Sequence, residues 1–124
     1  MILFEEYFSE DEAWLSLNSI SDIRYVSTYH KYNQYLNERK REFDKLAEKI
    51  THYRKNKKFF EEWGIYDETI ALNKEQISLL MNAIDIALEI HSNEEFDTYV
   101  GASKEAAYAL KHKYKSYQEI LLKE

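Results

Sequence analysis

Stepping alternately by three and four residues from Tyr25 visits Tyr25, Tyr29, Tyr32, Leu36, Arg39, Phe43, Leu46, Ile50, Tyr53, Lys57 and Phe60, and nine of these eleven positions are apolar or aromatic. In a segment otherwise crowded with charge, that period is the a/d seam of a coiled coil or helical hairpin. No breaker stands between Asp22 and Gly64. The pattern therefore predicts one helix over about 22–63, roughly 60 Å long at 1.5 Å per residue. Arg39 and Lys57 are its polar intrusions, where the register is fixed or the helix breaks. Gly64 after Trp63 reads as a left-handed C-cap.

Upstream, Ser9-Glu10-Asp11-Glu12 is a capping box that predicts a helix to about Asn18, with Ala13, Trp14 and Leu17 as its apolar face. Leu3, Phe4, Tyr7 and Phe8 precede it as a helical turn or an extended arm, too greasy to lie free. Residues 65–72 read as a connection containing a short helical turn. Asn73-Lys74-Glu75-Gln76 is a second capping box, opening a helix to about His91. Ile77, Leu80, Met81, Ile84 and Leu88 form one face of it and Leu79, Ala83, Ile86 and Ile90 another, so this helix is a central one. Ser92 caps a last helical stretch, whose seam runs Phe96, Val100, Ser103, Ala107, Leu110, Tyr114, Tyr117 and Leu121. Ala102, Ala106 and Ala109 beside it form a small-residue strip that admits a neighbouring helix, with Gly101 in the strip or at a kink. The expected fold class is all-α: one domain over 1–124, an elongated antiparallel hairpin or bundle of three to four helices with coiled-coil-like seams. Two seams offer more apolar surface than a thin hairpin buries, so a homodimer is expected.

Composition sharpens this picture. The 124 residues include no proline, two glycines and no cysteine, which favours long helices and excludes disulfides, thiolate nucleophiles and zinc ribbons. The net charge of −6 hides a block pattern: residues 1–22 carry −6, 23–63 carry +5, 64–101 carry −7 and 102–124 carry +2. Such alternation fits helices that pair by charge, within one chain or between two. The start MILFEEYF is acidic where a signal peptide is basic, and no apolar run approaches the ~20 residues of a membrane span. The expectation is a soluble, cytoplasmic protein with no membrane partner.

Candidate chemistry is sparse. Four tyrosines crowd into RYVSTYHKYNQYL, residues 24–36, and tyrosine serves equally as core and as interface anchor. The seam register makes Tyr29 and Tyr32 core and leaves Tyr35 at the surface. Two basic clusters with interleaved aromatics follow, at 39–41 and 54–58. The partner-binding candidates are thus Tyr25, Tyr29, Tyr32, Tyr35, Arg39, Arg41, Arg54, Lys55, Lys57 and Lys58. Glu48 and His52 give the only metal-like helical spacing, and the Glu-x-x-His pairs of di-metal bundles are missing. No metal site, cofactor or catalytic residue is assigned. The leading expectation is a non-enzymatic helical protein that binds another protein as an inhibitor. Its Lys-, Asn-, Tyr- and Ile-rich usage suggests a phage or other mobile element, and the target a host nucleic-acid enzyme or defence complex. An anti-CRISPR-like or other anti-defence inhibitor would fit, its helix-borne carboxylates imitating a phosphate backbone. The alternatives are a nucleic-acid-binding accessory protein using the basic face of residues 39–58 and a toxin or bacteriocin immunity protein.

Overall fold

In the computed structural model of the chain, which describes residues 3–6, 8–25, 30–56, 58–66 and 68–122, both N-terminal capping boxes form. Ser9 Oγ accepts from the Glu12 amide at 3.0 Å while the Ser9 amide donates to Glu12 Oε1 at 3.1 Å. Asn73 and Gln76 exchange the same pair of bonds. These caps start α1 (Glu10–Tyr25) and α4 (Lys74–Ile90). The remaining helices are α2 (His30–Glu38), α3 (Lys40–Asn56), α5 (Asn93–Val100) and α6 (Lys104–Leu122). The protein is an all-α bundle.

α4 is the central post. Nine of its residues, from Ile77 to Ile90, are buried, and α1, α3, α5 and α6 all pack on it. The second seam is buried too, from Phe96 and Val100 through Ala107, Leu110, Tyr114, Tyr117 and Leu121. Ser103 is the exception: it is exposed, and its hydroxyl caps α6 by accepting from the Ala106 amide at 3.1 Å. Gly101 is the left-handed residue that ends α5, at φ +78° with its amide donating to Asp97 O. A side chain there would be strained. Ala106 and Ala109 are exposed, so no helix of the described chain lies along the expected small-residue strip.

The long helix expected over 22–63 is divided. α1 runs past Asn18 to Tyr25, absorbing Ser19, whose hydroxyl donates to Leu15 O inside the bundle. Its buried face is Ala13, Leu15, Ser16, Ile20 and Ile23, while Trp14 points outward. α2 and α3 are separated at Arg39, and the cause is local. The Arg39 amide bonds Leu36 O at 3.3 Å, while the Arg39 guanidinium takes Tyr35 O, the carbonyl that a continuous helix would assign to that amide. A donor inserted into the i→i−4 ladder kinks a helix. α3 then stops at Asn56, whose side-chain amide bonds His52 O at 2.9 Å. The seam residues Phe43, Leu46, Ile50 and Tyr53 are buried within the chain, so the seam needs no second copy to cover it.

Two short antiparallel strand pairs replace the rest of the expected helix and connection. β2 (Phe59–Phe60) pairs with β3 (Ile65–Tyr66), and Gly64 sits between them at φ +65°, in a hairpin turn and not at a helix end. The N-terminal arm is β1 (Leu3–Glu6), paired with β4 (Ile70–Asn73) so that Leu3 lies opposite Asn73 and Glu6 opposite Ile70. Among the described residues there are six helices in place of the expected three or four.

Across the bundle, the hydroxyls of Ser16 on α1 and Tyr114 on α6 share a buried hydrogen bond of 2.8 Å. Removing one partner strands the other without water. Ser16→Ala should lower the free energy of unfolding by about 1–3 kcal/mol. In urea titrations, the Ser16→Ala/Tyr114→Phe double variant should lose less than the two single losses combined.

Candidate functional site

The tyrosine stripe reaches the structure in part. Tyr29 and Lys57 lie outside the described residues, and Tyr25 is the last residue of α1. Tyr32 and Tyr35, one turn apart on α2, are both half-buried against the core. Tyr35, which the seam register left at the surface, is half-buried like Tyr32. Its ring meets buried Phe43 edge-on at 6.3 Å, and its hydroxyl accepts from Asn82 Nδ2 at 2.7 Å. The Arg39 guanidinium lies 4.1 Å from its centroid. Tyr32 and Tyr35 face Asn82, Asp85 and Ile86 of α4 across a groove of about 310 Å³. From α6, Lys111 pairs with Asp85 at 2.5 Å.

The basic candidates are scattered. Arg41, Lys55 and Lys58 are exposed, and Lys58 lies 5.4 Å from the Phe60 ring. Lys55 lines a second groove of about 450 Å³ along α3, with Asp44, Glu48 and His52. Arg54 is taken up by the fold. Its guanidinium pairs with Glu10 at 2.8 Å and stacks 3.7 Å from the Trp14 ring. Tyr66 donates its hydroxyl to the same Glu10 carboxylate. Burial alone pushes Glu10 up, but the hydrogen bonds from Tyr66 and Arg54, together with the Arg54 charge, outweigh it and hold the carboxyl below its usual range. The clusters at 39–41 and 54–58 thus form no continuous cationic stripe among the described residues.

Sequence reasoning missed the exposed aromatics. Trp63 is 68% exposed, Tyr99 61%, Tyr108 57% and Trp14 43%. Trp63 stands in the β2–β3 turn, its ring 5.3 Å from Phe60, and the turn is tied to α1 by the Glu10 amide donating to Gly64 O at 3.4 Å. The only forewarning was Gly64 itself, since a left-handed glycine serves a hairpin turn as well as a helix end.

A further cluster joins α1, α4 and α5. His91 Nε2 meets Asp22 at 2.7 Å, its Nδ1 faces Glu95 at 3.6 Å, and Tyr99 stacks on the ring at 5.2 Å. Both ring nitrogens face carboxylates, so the cluster reads as a clasp on the α4–α5 corner. Among the described residues no three His, Cys, Asp or Glu side chains gather in a way that could hold a metal ion. No helix of the described residues is long and apolar enough to cross a membrane. No protein-family model, curated protein or solved structure matches the chain.

Tyr66 gives this end of the molecule a pH signature. Burial first, then the Glu10 carboxylate at its hydroxyl, pushes the phenol up from 10.0 to about 12. A raised value in the folded state means that the stability is fully present below pH 10 and is lost as pH climbs towards 12. Between those limits the wild type should lose about 2 kcal/mol more than Tyr66→Phe in urea unfolding.

Proposed function

We propose that this chain is a non-enzymatic helical protein that binds another protein and inhibits it, with a nucleic-acid enzyme or a defence complex as the target class. The observation that carries the reading is Trp63, an indole 68% exposed on a turn that the Glu10 amide ties to α1. Tryptophan, tyrosine and arginine are the residues on which interface energy concentrates. Exposing one on a fixed turn makes a binding anchor that loses little entropy on docking. Trp14, held under Arg54, lies one helical turn beyond the residue that bonds the Trp63 turn. The acids at 61, 62 and 11 around this end are exposed, which favours a partner surface bearing positive charge, as nucleic-acid enzymes do in their substrate channels.

The nucleic-acid-binding alternative has less support. Arg54 is neutralised by Glu10, and Lys49 donates to Ala71 O and to Gln76. Fewer cations of residues 39–58 are left to meet phosphates.

The test compares wild type with Trp63→Ala. The variant should unfold at nearly the same temperature, because the indole contributes little to the core. Immobilised wild type should retain one host protein at near-stoichiometric yield from lysate, and the variant should hold it about tenfold more weakly or worse. Retention of DNA or RNA at about 0.15 M salt, steeply lost at higher salt, would instead support the nucleic-acid reading.

A further inference from the structure

We infer that the groove between α2 and α4 receives the side chain of an arginine presented by the partner. The inference rests on the protein-binding reading and names the chemistry of one contact within it. The two tyrosines line one wall and Asn82, Asp85 and Ile86 the other. Tyr rings and Ile86 offer apolar surface to the methylene stem of a long side chain. One Asn82 amide N–H donates to the Tyr35 hydroxyl, the Asn82 carbonyl oxygen is an acceptor at the groove, and Asp85 supplies a carboxylate. That carboxylate disfavours an anion here, whereas a planar cation with several N–H donors finds ring, carboxylate and amide oxygen together.

The chain already contains the contact in miniature. Its own Arg39 places a guanidinium 4.1 Å from the Tyr35 centroid. Asp85 likewise already attracts a cation, Lys111, through Oδ1. Lys111 is the competing charge at the rim. An incoming guanidinium must share the carboxylate with it, which predicts an effect of opposite sign when Lys111 is neutralised.

The experiment titrates the full ¹⁵N-labelled chain with a Gly/Ser peptide carrying one arginine, and with its citrulline counterpart, at about 0.15 M salt. Citrulline keeps the shape and removes the charge. The arginine peptide should shift amides at Tyr32, Tyr35, Asn82, Asp85 and Ile86 saturably, and the citrulline peptide should bind about tenfold more weakly. Tyr35→Leu and Asp85→Asn should each weaken binding about fivefold or more. Lys111→Met should tighten it a few-fold, while Asp97→Asn, an equal charge change on α5, should leave it unchanged. Shifts spread over the acidic surface, equal binding of citrulline, or wild-type affinity in Asp85→Asn would each overturn the assignment. A folded Tyr35→Leu that binds normally would do the same. If the peptide fails while Trp63 still governs capture of the partner, the protein-binding reading stands and only this contact is wrong.

Discussion

The fold is arranged around a helix that is apolar on more than one side. α4 buries nine side chains over its length, and a helix apolar on more than one side is stable only when neighbours surround it. One antiparallel partner cannot do that. α1, α3, α5, α6 and β4 therefore all contact α4, and the chain has to turn often enough to bring them there. The kink at Arg39, the left-handed Gly101 and the hairpin at Gly64 are those turns.

The alternating charge blocks find their partners in the same packing. Glu10 of the first acidic block pairs with Arg54 of the basic one, and Glu12 with Lys113 of the last. Asp85 on α4 pairs with Lys111 on α6, and Lys104 caps the end of α4 by donating to Leu88 O and His91 O. Pairs this exposed contribute little stability each. Their effect is on register, because each matches a block on one helix with the opposite block on another.

Among the described residues, the large apolar side chains left exposed are mostly aromatic: Trp14, Trp63, Tyr99 and Tyr108, together with Ile120. Large rings left outside a core that is otherwise closed suit recognition better than folding. Tyr32 and Tyr35 line a groove, with Tyr35 held by Phe43, Arg39 and Asn82.

The local rules were legible in the sequence. Both capping boxes, the cap at Ser92, the two-sided burial of α4, and seven of the eight positions of the second seam follow from side-chain type and spacing alone. Each depends on neighbours within a turn or two, where the physics of helices is strongest. The destination of the first seam was not legible. Phe43, Leu46, Ile50 and Tyr53 repeat with a period that suits a coiled-coil dimer and an intramolecular core equally. The packing of α1 and α4 against α3 is what buries them within the chain. Nor could spacing show that Arg39 would reach back to Tyr35 O and break the helix, or that Phe59 and Phe60 would leave helical periodicity for a two-residue strand. Trp14 was assigned inward because it continues an apolar face, but it lies at the surface with Arg54, forty residues later, against its ring. Periodicity fixes which side of a helix is apolar. Which apolar groups remain on the surface is decided by what the rest of the chain has available to cover them, and that is a property of the packed tertiary structure.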